Sequence, residues 1–365
     1  MNRIEAVRIE PWDVELLEPF GIATGAQVTA CNALLELTLA GGQRGLGEAA
    51  PFPAVNGETQ ADALAALKAV GAELIGYSGH DAAELSGSAL AALEAAPSAL
   101  AALEMALVDA HCRARGESLF GFYGGREPRL LTDITIPTGS PSAAASAATR
   151  AQRQGFVTLK VKVGGAPFDE DRERLQEIAR AAPRARLLLD ANASLPASQA
   201  IELVQSLGSA RQQVVLFEQP CLRGDYAGSR QVREAGIRVA ADEDARSLAD
   251  LRALARERAA DVINFKLTKS GVTRVVEMVH EARRLGFGLM MGGMVETRLA
   301  MTVSACIAGG IGGFEELDLD TPLFMRDDRL QGGFAQRGPQ LELGLIGVGH
   351  GVTRRPPPLD AGPSA

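Results

Sequence analysis

Charged residues sit at the ends of a series of short apolar runs in this 365-residue sequence. LKVKVGG carries Lys160 and Lys162, LLLDAN carries Asp190, LFEQP Glu218, VAADED Asp242 and Asp244, and VINFKL Lys266. Strands of a parallel sheet are buried on both faces and read as continuously apolar, so a charge held near one end of each run points to chemistry. Asp190, Glu218, Asp242 and Lys266 follow one another at 28, 24 and 24 residues, about one strand–helix unit each. Successive units would therefore offer one group apiece to a common mouth. Three carboxylates meeting there repel unless a cation holds them. An all-oxygen donor set selects a hard ion, Mg²⁺ first with Mn²⁺ as a substitute. The four histidines (His80, His111, His280, His350) lie near none of these runs, which disfavours zinc.

The lysines complete the pattern. Lys162 and Lys266 are four units apart in an eight-strand ring and should face each other across the mouth. A carbon held between them could lose a proton on one face and regain it on the other. Next to a carboxylate such a carbon is a weak acid, and its enediolate needs a metal and a neighbouring cation at the moment charge develops. Lys160 projects to the same side of its strand as Lys162. Its repulsion would lower the pKa of Lys162, and it could also contact the substrate carboxylate. A Schiff-base lysine would leave the three acids unexplained.

The elements that must position these groups are legible in the texture of the chain. From residue 129 onward, LLTDITIP, FVTLKVKVG, ARLLLDAN, VVLFEQP, IRVAADE, DVINFKLT, FGLMMGG and GFEELDLD alternate with amphipathic stretches such as PFDEDRERLQEIARAA. Eight apolar strands alternating with helices predict an α/β fold, a modified (β/α)8 (TIM-type) barrel, whose sites form at the C-terminal strand ends. Residues 1–50 alternate apolar and polar like a three-stranded meander. Residues 59–116 read as three Ala/Leu-rich helices broken near Gly76 and Pro97. The expected organisation is an N-terminal α+β capping domain over 1–125, joined by part of 326–350 through a strand pair at 333–346, and a barrel over 126–325. The Pro-rich end, 351–365, is expected to be disordered.

Composition sets the outer limits. Apolar residues at 46% and charged residues at 22% describe an ordinary globular protein and exclude disordered and fibrous classes. A net charge of −8 gives no field to collect phosphate backbones, so no nucleic-acid partner is expected. No run of about 18 uncharged apolar residues occurs, and the charged start MNRIEAVRIEPW lacks a signal peptide's apolar stretch. No membrane association and a cytoplasmic location are expected. Cys31, Cys112, Cys221 and Cys306 are scattered singly and are expected to be buried thiols in a reducing compartment.

LKVKVGG, LLLDAN, LFEQP, AADED and INFKLTKSG, in this order behind an α+β domain, resemble the muconate-lactonizing subgroup of the enolase superfamily over nearly the whole chain. The resemblance implies one Mg²⁺ per subunit on Asp190, Glu218 and Asp242, with Lys162 and Lys266 as the acid/base catalysts and Lys160 assisting. Where the family reads Asp-Glu-Ser, this chain has Asp242, Glu243 and Asp244, and Asp242 is kept as the ligand. Thr135 matches a position that contacts the substrate carboxylate. Asp318 and Asp320 resemble the Asp-x-Asp pair with which dipeptide epimerases hold the substrate's α-ammonium. A carboxylate pair favours a cation, which N-acyl, muconate and succinylbenzoate-type substrates lack.

PFGIATGAQ and PFPAVNGETQ resemble the two loops that cap the barrel mouth. Thr24, expected among the substrate-binding residues, stands where epimerases acting on Ala-Glu carry an Arg, which argues against Ala-Glu specificity. Glu296 in GGMVETRLA fits the family pattern without an assigned role. The function expected is Mg²⁺-dependent epimerization of a dipeptide at the α-carbon of its C-terminal residue. N-acylamino acid racemization and muconate-type cycloisomerization are the alternatives within the superfamily. A non-catalytic barrel that binds a metal or peptide would have no need of two opposed lysines. Homo-oligomer formation is left open.

Overall fold

The computed structural model describes residues 3–22, 25–78, 85, 87–326 and 329–356. The chain opens with the expected antiparallel meander, β1 (Ile4–Ile22), β2 (Gly25–Leu39) and β3 (Arg44–Ala49). In PFGIATGAQ, Phe20 pairs with Gln27, Gly21 with Ala26 and Ile22 with Gly25 across β1 and β2, while residues 23–24 lie outside the described residues. Both faces of the sheet are covered. Ala33, Leu35, Leu37 and Leu39 of β2 pack in the cap's own core, whereas Ala30 and Leu34 join Trp12, Val14 and Leu16 in a core shared with the barrel. The same alternation corrects one expectation. It sends Asn32 inward and leaves Cys31, opposite Asp13, exposed, while Cys112, Cys221 and Cys306 are buried.

A short turn, α1 (Pro53–Asn56), leads to α2 (Gln60–Leu74), α3 (Gly87–Glu94), α4 (Pro97–Arg115) and another short turn, α5 (Leu119–Phe122). Helix α2 starts at a capping box: the Thr59 side chain accepts from the Asp62 N–H, and the Asp62 carboxylate accepts from the Thr59 N–H. Helix α4 lies directly on β3. A Cβ at Gly45 would come within 2.1 Å of the Ala106 carbonyl oxygen, and one at Gly47 within 1.8 Å of that of Ala102. The glycines are what let helix and strand backbones touch.

After β4 (Arg129–Leu131) the barrel begins. Its strands are β5 (Ile134–Ile136), β6 (Thr158–Lys162), β7 (Arg186–Asp190), β8 (Val214–Glu218), β9 (Val239–Ala241), β10 (Val262–Phe265), β11 (Gly288–Met291) and β12 (Glu316–Leu317). They form one eight-stranded parallel sheet in sequence order, and the Asp133 N–H donates to the Leu317 carbonyl to bring the two edges together. Helices α6 (Pro141–Arg153), α7 (Phe168–Ala181), α8 (Ala197–Gln205), α9 (Tyr226–Glu234), α10 (Leu248–Glu257), α11 (Leu267–Ser270), α12 (Val272–Leu285) and α13 (Arg298–Ile311) connect them. Leu188, Leu216, Ala240, Val262 and Met290 form a small core of their own inside the ring, one residue layer below the charged strand ends. Among the described residues no helix is long and apolar enough to cross a membrane.

The C-terminal segment supplies β13 (Leu330–Gln331), β14 (Ala335–Arg337), β15 (Gln340–Glu342) and β16 (Thr353–Arg354). The β14–β15 pair lies within the expected 333–346 but joins β4, in the stretch expected to be barrel, rather than the capping sheet, and β13 pairs with β16. Arg354 then ion-pairs with Glu36 (3.0 Å) and Glu10 of the capping sheet, and Arg329 stacks 3.8 Å above the Trp12 ring. Residues 351–356, expected to belong to a disordered end, are thus ordered by β16 and the buried Val352, and residues 357–365 lie outside the described residues.

Three buried polar groups tie cap, barrel and C-terminal segment together. The Glu104 carboxylate of α4 accepts from the Val272 and Thr273 N–H groups at the start of α12, where a negative charge is favoured. His350 is held between Leu46 and Val352: its Nδ1 accepts from the Val352 N–H (3.0 Å), leaving Nε2–H for the Leu46 carbonyl (3.1 Å) and Asp109. That arrangement needs the neutral ring, and burial lowers the pKa of His350 below its usual 6.5. A depressed histidine pKa means the unfolded chain takes up the proton first as pH falls. His350 therefore stabilises the fold above about pH 6.5 and loses that contribution below it, with a limiting slope of about 1.4 kcal/mol per pH unit. Urea unfolding at about pH 7.5 and 5.5 is expected to show this loss, and His350→Asn to reduce it.

The third group is Glu48 of β3. Its carboxylate accepts from Asn32 Nδ2 (2.7 Å), the Thr297 N–H (2.9 Å), Thr297 Oγ1 (2.6 Å) and the Ala300 N–H (3.2 Å). Asn32 Nδ2 also donates to the Val295 carbonyl (3.0 Å), so the cap grips the turn between β11 and α13 from two sides. Glu48→Ala would strand several buried donors and is expected to cost about 2–4 kcal/mol of stability, read as a lower urea midpoint.

Candidate active site

The expected charged residues converge where the parallel strands end. Lys162 is the register partner of Asp190, Asp190 of Glu218, and Glu218 of Ala240, which places Asp242 two residues beyond. All of these side chains are buried. The chain turns sharply after two of the acids: Asn192 and Ala193 follow Asp190 with φ of 44° and 61°, and Gln219 follows Glu218 with φ 34°. Non-glycine residues adopt this region rarely and mostly where the surroundings enforce it. Here Gln219 is fixed by its own amide. Its Nε2 donates to Asp244 (2.8 Å), and its Oε1 accepts from the N–H groups of Asp242 (3.1 Å) and Asp244 (3.2 Å). Asp244 also accepts from the Gly224 N–H (2.8 Å), so its carboxylate is occupied in bracing the strand end that presents Asp242.

Lysines and carboxylates interleave. Lys160 Nζ lies 2.6 Å from Asp318, 2.8 Å from Glu218 and 3.1 Å from Asp190. Lys162 Nζ lies 2.6 Å from Asp190, and Lys266 Nζ lies 2.6 Å from Asp242 and 3.8 Å from Glu218. Burial opposes every one of these charges, and the partners decide the outcome. Lys162, Lys160 and Lys266 hold Asp190 below the ordinary carboxylate range, and Lys266 with Lys269 holds Asp242 well below it. Glu218 goes the other way: burial, reinforced by Asp190, pushes it up to about 7. Asp318, Glu218 and Asp190 overcome the burial of Lys160 and raise it well above the usual lysine value; Asp242 and Glu218 likewise raise Lys266.

Phe52, Val55, Thr135, Lys160, Lys162, Lys266 and Asp318 share the lining of one cavity of about 30 Å³, together with Asn192, Gly293, Met294, Val295 and Thr321. PFPAVNGETQ thus reaches the site through Phe52 and Val55, whereas Thr24 lies outside the described residues. The Thr135 N–H donates to Asp320 Oδ2 (2.6 Å), which joins the first strand to the Asp318/Asp320 pair. Glu296 is buried beside the cavity. Its Oε1 accepts from the Met294 N–H (3.0 Å) and Thr268 Oγ1 (3.3 Å), and burial pushes its carboxyl up to about 7.

Four groups at or behind the site do not follow from the strand-end pattern. Lys269 binds Asp242 Oδ1 (2.5 Å) and the carbonyls of Asp242 and Asn264 (both 2.8 Å). It lies three residues beyond Lys266, on the next turn, a spacing that could have drawn attention. Glu243 is pushed up to about 8 by burial and then by Asp242. Glu48 acts from the cap. Asp133 precedes Thr135 by two, the same parity that pairs Lys160 with Lys162. Among the described residues, Asp133, Asp318 and Asp320 are the acids whose oxygens already lie within 4.8 Å of one another; Asp190, Glu218 and Asp242 are held apart, each on a lysine.

The chain resembles known proteins along nearly all of its length. Residues 3–124 match the mandelate racemase/muconate lactonizing enzyme N-terminal domain, and residues 142–356 match the enolase C-terminal domain-like family. It is 43% identical to an aromatic dipeptide epimerase of Herpetosiphon aurantiacus, over 96% of this chain and 98% of that protein. The crystal structure of a mandelate racemase/muconate lactonizing protein from the same organism superposes with a TM-score of 0.92 at 43% identity, covering 97% of this chain and 99% of that one. A dipeptide epimerase of Enterococcus faecalis, solved with Mg and the dipeptide L-Leu-L-Tyr, gives 0.89 at 29% identity, over 96% of this chain and 99% of that one. With both of its domains matched and these relatives covered end to end, the chain belongs to the mandelate racemase/muconate lactonizing enzyme family of the enolase superfamily.

Proposed function

We infer that the protein is a Mg²⁺-dependent dipeptide epimerase that inverts the α-carbon of the C-terminal residue, one of Lys162 and Lys266 removing the α-proton and the other delivering a proton to the opposite face. The observation that carries this reading is the single cavity onto which Lys162, Lys266, Lys160 and Asp318 all open. The relatives named above supply the substrate class.

Asp190, Glu218 and Asp242 would hold the cation. They fit a hard divalent ion: three buried carboxylates on adjacent strands, with no His or Cys among them. Glu218 Oε2 is held only by the Lys160 ammonium, 2.8 Å away, and Glu243 Oε2 is buried without a hydrogen bond among the described residues. A bound cation would take up the negative charge that develops on the substrate carboxylate as the α-proton leaves. Lys162, anchored from Asp190, and Lys266, anchored from Asp242, approach the α-carbon from separate strands, so one accepts the proton and the other returns one. Lys160 and Thr135 face the substrate carboxylate. Asp318 and Asp320 receive the α-ammonium, and Phe52 and Val55 of the cap exclude water. The free cysteines support action in a reducing cytoplasm.

The test is α-proton exchange. The protein, Mg²⁺ and a pooled L,L-dipeptide library in D₂O are expected to give a gain of one mass unit in particular dipeptides, abolished by EDTA. No exchange across the library, with exchange into N-acylamino acids instead, would replace this reading with N-acylamino acid racemization.

A further inference from the structure

Asp133 is a buried acid with no task in the reaction so far. It is 2% exposed, and neither of its carboxylate oxygens has a hydrogen-bond partner among the described residues. A carboxylate buried in that state is costly, so its surroundings must either keep it neutral or supply a cation. One of its oxygens lies within 4.8 Å of an oxygen of Asp318 and of Asp320. Asp320 Oδ1 is also buried without a partner, while its Oδ2 is taken by the Thr135 N–H. Buried carboxyl groups flanking two strands, β5 and β12, thus gather at one place, with both oxygens of Asp133 and one of Asp320 left without a hydrogen bond. The charged groups facing Asp133 are Asp318 and Asp320 after β12, Lys160 on β6 and Glu218 on β8. Lys160 is the one cation among them, and it is already shared with Asp190 and Glu218.

We propose that Asp133 is the third carboxyl group of the ammonium subsite: it holds a proton in the free enzyme and releases it to solvent when the α-ammonium of a dipeptide docks against Asp318 and Asp320. Three carboxylates then face an ammonium with three N–H donors. One carboxylic O–H is broken, its proton goes to water, the ammonium keeps its own three, and no other bond changes. Electrostatics runs the same way. Burial, then repulsion from Asp318 and Asp320, raises Asp133 well above the ordinary carboxylate range, and burial with Asp318 pushes Asp320 up to about 7. An arriving positive charge relieves that repulsion and favours ionisation. Substrates without a free ammonium give no such relief, which makes Asp133 a specificity-determining residue. The inference rests on the dipeptide reading of the site.

Titration calorimetry of the Mg²⁺-loaded protein with L-Leu-L-Tyr at epimeric equilibrium, and with its N-acetyl derivative, tests it. Two buffers of different ionisation enthalpy are compared at about pH 6.5, where an α-amine of pKa about 8 stays protonated. Between one and two protons are expected to be released with the free dipeptide, one from Asp133 and a further share from Asp320, and none with the N-acetyl compound. Asp133→Asn is expected to release about one proton fewer and to bind the free dipeptide roughly 10- to 100-fold more weakly. If that variant does not fold, the wild-type comparison decides alone. Binding without proton release, or equal release with both compounds, overturns the role of Asp133 and leaves the epimerase reading standing. A wild-type protein that binds only the N-acetyl compound, or neither, overturns the dipeptide reading and this inference with it.

Discussion

Lys162→Ala and Lys266→Ala are each expected to lower epimerization by about 10³- to 10⁴-fold, the upper part of the range for a positioned acid or base, while each keeps α-proton exchange with one epimer alone. The reason lies in the separate anchoring of the two amines. Removing Lys162 leaves Asp190 with Lys160 at 3.1 Å, and removing Lys266 leaves Asp242 with Lys269 at 2.5 Å. Neither substitution strands a buried carboxylate, so both variants should fold and keep the opposite base in place. Proton NMR in D₂O, started separately from the L,L and L,D forms of a substrate dipeptide, reads the outcome. The two variants should wash out the α-proton of opposite forms. Exchange of the same form by both variants, or full epimerization by either, would exclude the division of labour.

Glu218→Gln is expected to weaken Mg²⁺ binding by at least about 100-fold, since even partners one layer behind a metal commonly contribute 10- to 100-fold. Titration calorimetry without substrate measures it directly. Asp318→Asn should leave Mg²⁺ affinity within a few-fold but raise KM for free dipeptides by roughly 30-fold or more, with little change for N-acylated analogues. The contrast matters because Asp133, Asp318 and Asp320 are the acids that already sit within 4.8 Å of one another. If Asp318→Asn removed Mg²⁺ binding and Glu218→Gln did not, the cation would belong at that cluster, and the ammonium subsite would have to be sought elsewhere.

The strands and most of the site could be read from the sequence because charge violates a strong rule at their ends. A buried parallel strand has no use for a lysine or an acid, so Lys160, Lys162, Asp190, Glu218 and Lys266 announce both the strand and its mouth. The groups that escaped notice break no local rule. Asp133 precedes a three-residue strand, where an acid reads as a turn residue. Lys269 lies in a short helix after the strand, where a lysine is unremarked. Glu48 sits in RGLGEA among glycines, and its burial depends on a helix start 249 residues away. Cys31 shows the reverse limit: side-chain alternation along β2 puts it on the face of Ala33 and Leu35, but how far along that face the cap's own core extends is not written in the alternation. No role for Asp244 is legible in the DED triplet, because its use depends on Gln219, an amide just beyond the neighbouring strand.

The grip of Glu48 and Asn32 on residues 295–300 also bears on how such enzymes can be rebuilt. Recombining the cap of one relative with the barrel of another treats the two as independent modules, yet here the cap supplies the acceptor that seats the start of α13 beside the reaction cavity. A chimera joined near residue 125 would inherit a working mouth only if the donor cap brought an acid and an amide to the positions of Glu48 and Asn32. Exchanging the turn at 52–57, whose Phe52 and Val55 line the cavity, while retaining β2, β3 and α4 would leave that seating intact.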